Sequence, residues 1–150
     1  MAAFVINEWL WHDSLGQNGP DAQRQAFEVI CKLANSDHQV VVIEGSRFDQ
    51  KAWDLWKSSN TVVVGLSKIF FGRIRVSPNR CILLKPDMAA DLSDELGSSV
   101  NPDDQYLVRA QLSVPGSLLV TTDRPLRDAV GKAGLPCLPR EEFLATYCGR

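Results

Sequence analysis

The stretch "SLLVTTDRPLRDAV", residues 117–130, decides how the chain is read. Leu118, Leu119 and Val120 form an apolar run of strand length that ends in two hydroxyls and a carboxylate, Thr121, Thr122 and Asp123. A helical pattern from about Pro125 to Lys132 follows, with Gly134 as its stop. A buried strand that delivers polar side chains toward solvent, followed at once by a helix, is one step of an alternating β/α chain.

The same step recurs. "AFVIN" (3–7) reads as a short buried strand, and a helix from Ala22 to about Asn35 follows, with Asp21 as its candidate cap. "QVVVIEG" (39–45) is continuously β-branched, as expected of a parallel strand covered on both faces. "DQKAWDLWKSS" (49–59) reads as a short helix, and "TVVVGL" (61–66) and "RCILLK" (80–85) as further strands or edges. Between them "SKIFFGRIRVSPNR" (67–80) has Gly72 and Pro78-Asn79 turn signals and reads as an irregular or hairpin-like excursion. Helices are expected over 86–99 and 101–114, with Asn101 or Asp103 near the second cap, then a last strand "LPCLP" (135–139) and a closing helix "REEFLATYC" (140–148). The expected fold is α/β, a three-layer α/β/α arrangement about a mainly parallel central sheet, with residues 1–150 forming one domain.

Composition narrows the function. A hydrophobic share of 45% suffices for an ordinary core, and a net charge of −2 does not announce a nucleic-acid binder through bulk charge. Cys31, Cys81, Cys137 and Cys148 form no C-x-x-C pair, which argues against a zinc site and for free thiols. His12 and His38 are isolated from any Ser or Cys at triad spacing. Neither a G-x-G-x-x-G nor a phosphate-loop pattern occurs. The start "MAAFVINEWLWHD" lacks a basic n-region and carries Glu8 early, unlike a secretory signal, and no apolar run reaches the ~20 residues of a membrane span. The expectation is a cytoplasmic protein with no membrane attachment.

Three apolar strands end in polar or acidic residues: Asn7-Glu8, Glu44 and Asp123. Asp103 and Asp104 open the helix before the last of these. In a parallel sheet, ligands bind beyond the carboxyl ends of the strands, so folding can gather Glu8 or Asn7, Glu44, Asp104 and Asp123 at one edge. Packed carboxylates repel one another, and a hard divalent cation, Mg2+ or Mn2+, relieves that repulsion. Such an ion activates water and stabilises charge on a phosphodiester. Thr121 and Thr122 are placed to orient Asp123 or a bound water. Each acid has a plainer reading: Asp103, Asp104 and Asp123 as helix-start residues, Glu44 as a turn residue before Gly45.

Taken together, "NPDDQYLVRAQLSVPGSLLVTTDRPL" (101–126), "GLPCLPREEFLATY" (134–147) and "FVINEWLW" (4–11) resemble the PIN domain family. That family comprises metal-dependent ribonucleases, including the toxins of many toxin–antitoxin pairs. The resemblance implies an endoribonuclease that takes Mg2+ or Mn2+, with Glu44 as second acid, Asp104 as third, Asp103 as its close alternative, and Asp123 as fourth. It implies RNA as substrate and an antitoxin protein as partner. The family's first Asp is replaced here by Asn7 followed by Glu8, which cannot both face one site while the strand stays regular. Asp13 is a more distant candidate for that role.

Two further surfaces stand out. Lys68, Arg73, Arg75, Arg80 and Lys85 lie in a stretch without acidic residues and are candidate phosphate contacts, with Phe70 or Phe71 for base stacking or, equally, for the core. Trp9, Trp11, Trp53 and Trp56 read as core or interface anchors. A homodimer or antitoxin groove is the sharper reading of them.

Overall fold

The computed structural model describes residues 1–149. Its centre is one five-stranded sheet, all parallel: β1 (Ala3–Ile6), β2 (Gln39–Ile43), β3 (Cys81–Leu84), β4 (Leu118–Val120) and β5 (Cys137–Leu138), in the spatial order β3-β2-β1-β4-β5. Eight α-helices surround it: α1 (Trp9–Ser14), α2 (Pro20–Ala34), α3 (Arg47–Trp56), α4 (Thr61–Ile69), α5 (Asp94–Ser99), α6 (Gln105–Ser113), α7 (Arg124–Lys132) and α8 (Arg140–Tyr147). The protein is therefore α/β with helices on both faces of a parallel sheet, as its alternating pattern requires. Among the described residues no helix is long and apolar enough to cross a membrane.

The period of two along each strand sorts the core into two layers. Phe4 and Ile6 of β1, with Val40 and Val42 of β2, pack under Trp9, Trp11, Val29, Ile30, Phe48, Phe70 and Phe143. Val5, Val41, Ile43 and Leu119 face the other way, onto Leu96, Leu107, Val108, Leu126 and Val130. Both strands of the first pair are almost wholly buried. That is why they read as unbroken apolar runs.

Three local expectations change. The run at 61–66 is not a strand: it is the start of α4. Asn60 Oδ1 accepts the Val62 and Val63 amide N–H groups (2.9 and 3.3 Å), and only Val63, Leu66, Ser67 and Phe70 go inside, the spacing of one helix face. Val62 is left 56% exposed. Cap and periodicity override the β-propensity of three valines. The excursion at 67–80 is not a hairpin either. It continues α4 into a π-helix over Phe70–Arg75, followed by a turn. The expected helix over 86–99 is broken into a 3-10 turn, Pro86–Met88, and the short α5, capped by Ser93 Oγ on the Leu96 amide (3.2 Å).

The first strand stops at Ile6, and Trp9 and Trp11 belong to α1. Both are buried and hydrogen-bonded. Trp9 Nε1 donates to the Val120 carbonyl (3.1 Å) and Trp11 Nε1 to the Phe48 carbonyl (3.0 Å). They are core anchors that tie α1 to β4 and α3. The α2 helix begins at Pro20, one residue before its expected cap, because proline's fixed φ and missing N–H suit a first helical position.

Candidate functional site

The strand order reverses between β1 and β4. Chain order runs outward from β1 through β2 to β3, then jumps across to β4 and β5. That reversal leaves a crevice beyond the carboxyl ends of β1 and β4, where open parallel sheets bind ligands. Asn7, Glu8, Thr121 and Asp123 follow those two strands, and Asp103 and Asp104 end the 3-10 turn Pro102–Asp104 that leads into α6.

Hydrogen bonds fix the strand ends. The Asn7 amide N–H donates to the Val120 carbonyl (3.0 Å), and Asn7 Nδ2 donates to Thr121 Oγ1 (2.9 Å). Asn7 Oδ1 accepts the Glu8 amide N–H (2.7 Å). Thr121, fully buried, also accepts the Asp123 amide N–H (3.1 Å). One hydroxyl thus sets the relative position of Asn7 and Asp123. Thr122 is exposed.

Asp123 is the N-cap of α7: its Oδ1 accepts the Leu126 amide N–H (3.1 Å). Capping and service to a site are compatible here, because a cap uses one carboxylate oxygen and leaves the other. Asp104 differs. It stands at the head of α6 without a side-chain capping bond; Asn101 does that work one turn earlier, accepting the Asp103 amide N–H (3.0 Å). Asp104 and Asp123 line a common cleft of about 190 Å³ with Ser99, Val100, Asn101, Pro125 and Leu126. Burial pushes the Asp104 carboxyl above its ordinary range, and the nearby Asp123 and Glu8 carboxylates push it further, against the pull of Arg47.

Glu8 is buried and turned to Arg47, whose Nε donates to Glu8 Oε1 (3.1 Å). Arg47 Nη1 reaches Asp103 Oδ2 (3.2 Å) as well, so one half-exposed guanidinium bridges two acids at the mouth of the crevice. Beside them the Tyr106 hydroxyl is buried against the Phe48 backbone, within electrostatic reach of Glu8, Asp104 and Arg47.

Glu44 does not join this set. Alternation along β2 puts it on the face of Val40 and Val42, away from α6, and its charge bears on Arg75 rather than on Asp104. Asp13 is also excluded from it: it is buried in an ion pair with Arg140 Nε (2.9 Å) and accepts from Asn18 Nδ2 (2.7 Å). Among the described residues no three His, Cys, Asp or Glu side chains converge closely enough to hold a metal by themselves.

The basic stretch is largely committed to structure. Arg75 donates twice to Asp49 (2.9 and 3.0 Å), both side chains being nearly buried. Arg73 Nη2 donates to Asn35 Oδ1 (2.7 Å), and Arg80 Nε to the Ser36 carbonyl (3.2 Å). Lys68 and Lys85 remain exposed. Phe70 and Phe71 are core residues, 2% and 6% exposed, so neither offers a face to a base. The cysteines are free thiols, and burial holds Cys81 up at about 11, inert at neutral pH. His38 Nδ1 faces the Ala2 amide (2.9 Å).

No family model, curated protein or solved structure matches the chain.

Arg47 and Tyr106 are the site residues that sequence reasoning passed over. Arg47 follows the cap Ser46, an arrangement that any helix start can show. Tyr106 sits in an amphipathic pattern that reads as core.

Proposed function

We propose that the protein is a PIN-like endoribonuclease of the cytoplasm that hydrolyses RNA phosphodiester bonds with Mg2+ or Mn2+ at the β1/β4 crevice. The observation that carries this reading is the pairing of Asp104 and Asp123 in one cleft at the strand reversal, with the Asp104 carboxyl pushed up by burial and then by its acidic neighbours. The donors are the hard carboxylate oxygens of Asp104 and Asp123. That set suits an ion that keeps several waters and takes one or two carboxylates together with substrate phosphate, as magnesium does. It does not suit an ion that needs a closed cage of protein ligands. Asp104 and Asp123 would hold the ion, which supplies an acidified water and charge for the phosphodiester. Thr121 keeps Asp123 and the end of β1 in register, and Arg47 balances Glu8 and Asp103. On the family reading, a small antitoxin covers the acidic cleft with a basic segment, and a homodimer belongs to the same expectation.

The test is cleavage of RNA with and without manganese by the wild type and by Asp123→Asn. Metal-dependent cutting that the substitution abolishes supports the reading. Equal cutting by both removes Asp123 from the chemistry.

Asn7 at the family's first acid position, and the Arg47 bridge, favour a second reading: a catalytically impaired PIN-like module that binds RNA or protein. Arg47→Gln distinguishes the two. If the crevice takes a cation, removing the competing guanidinium should tighten manganese binding, read by calorimetry, about two- to fivefold, the scale of a partly exposed charge pair. Unchanged or weaker binding would place the guanidinium outside any cation site.

A further inference from the structure

We infer that a second surface, formed by Trp53 and Trp56 and backed from the core by Phe71, is a stacking platform for single-stranded RNA. The inference rests on RNA as the substrate of the crevice but not on the crevice's chemistry. Trp53 and Trp56 are 47% and 43% exposed, in a chain whose other two tryptophans are buried. They stand at i, i+3 on α3. The nearly buried Phe71 backs them: its ring stacks on Trp53 at 4.0 Å between centroids and meets Trp56 edge-on at 5.8 Å. The two indoles lie 6.4 Å apart. The π-helix at 70–75 supplies Phe71, and its pairing of Arg75 with Asp49 clamps that segment to α3. The indoles are therefore held in a fixed arrangement while a substantial part of each stays open.

Charge selects the occupant. Residues 47–76 hold six of the chain's sixteen Lys and Arg but only two of its eighteen Asp and Glu. Arg75 is paired with Asp49, Arg47 with Glu8 and Asp103, and Arg73 bonds Asn35, so the positive charge left over is that of Lys51, Lys57 and Lys68, against the exposed Asp54. Lys57 follows directly on Trp56 at the end of α3, and Lys68 lies on α4, which packs against α3. Both ammoniums are exposed and, among the described residues, form no ion pair. Open aromatic rings flanked by free positive charge fit a polyanion whose bases are unpaired and can lie on the indoles. A second copy of the chain fits less well. Two half-exposed indoles offer roughly 200 Å², about a quarter of what one side of a standard interface buries. The platform also adjoins the crevice along one helix: α3 starts at Arg47, and about 1.5 Å per residue puts Trp53 about 9 Å further along its axis.

The experiment titrates the full chain with a short oligouridylate in EDTA, so that cleavage plays no part. Tryptophan fluorescence of the wild type reports stacking directly, because Trp9 and Trp11 are buried. Anisotropy of a labelled oligouridylate then compares Trp53→Ala/Trp56→Ala with Trp53→Phe/Trp56→Phe. Quenching in the wild type, at least a tenfold loss of affinity in the alanine pair and recovery in the phenylalanine pair support the platform. Absence of quenching, or alanine-pair affinity equal to wild type, overturns it. So does a concentration-dependent dimer that the alanine pair disperses without any RNA binding. Failure of Asp123 to support cleavage leaves these readouts untouched, so the two readings fail separately.

Discussion

On the endoribonuclease proposal, Asp123→Asn is expected to slow metal-dependent RNA cleavage by about 100-fold or more at saturating manganese, with the fold intact. The fold should survive because asparagine is as good an N-cap as aspartate: its Oδ1 can accept the Leu126 amide N–H that Asp123 accepts now. What the substitution removes is the negative charge. Asp104→Asn makes the complementary case. Asp104 has no capping bond to lose, and its ionised form is opposed by burial, Asp123 and Glu8. Neutralising it should leave stability unchanged or raised while cleavage falls to the same degree, a separation that a purely structural role cannot produce. The pH dependence has a definite sign. A carboxyl whose folded pKa is raised binds its proton more tightly in the native state, so its contribution to stability is present below the ordinary aspartate range and is lost as pH rises through the raised value. Denaturation midpoints measured across that window should slope downward with pH in the wild type and flatten in Asp104→Asn. An unchanged slope would mean that Asp104 does not carry the repulsion assigned to it.

The parts of this protein that could be read along the chain are those governed by local rules. β1, β2 and β4 announce themselves because both faces of each are covered, and Asp104 and Asp123 because a helix start and a strand end in a parallel sheet face the same edge. The rest depends on approach in space. The valines at 62–64 would suit a strand, but the Asn60 cap and the burial of Val63, Leu66 and Phe70 on one side make them helical. Glu44 closely resembles Asp123 in local sequence context, following an apolar strand. Its exclusion comes from the alternation that turns it to the opposite face of the sheet. Arg47 and Tyr106 reach the crevice only because α3 and α6 converge on the end of β1, which no spacing along the chain expresses. The basic run at 68–85 shows the same limit in reverse: its arginines look free until Asp49, Asn35 and the Ser36 carbonyl are folded against them.

Asp49→Ala should cost about 3–5 kcal/mol of folding stability, the range for removing one partner of a buried ion pair. Asp49 and Arg75 are 3% and 11% exposed, and the pair is bidentate, with a third bond from the Gly45 amide N–H to Asp49 Oδ2 (2.9 Å). Deleting the carboxylate leaves a guanidinium in a nearly closed site without its two hydrogen bonds, with only the weaker influence of Glu44 in place of the lost charge. An arginine guanidinium keeps its proton in essentially any protein setting, so it cannot escape the cost by releasing one. The Gly45 amide loses its acceptor at the same time, at the turn between β2 and α3. Replacing both partners, Asp49→Leu with Arg75→Met, should recover most of the loss, because the cost lies in the stranded charge rather than in the absent attraction. Urea denaturation of the two variants measures the difference directly. A single-variant loss below about 1 kcal/mol would mean that the pair behaves as an exposed one. The same clamp holds the π-helix against α3, so the Asp49→Ala protein should also lose the stacked geometry of Phe71 and Trp53. Tryptophan emission would then shift under native conditions, before any denaturant is added.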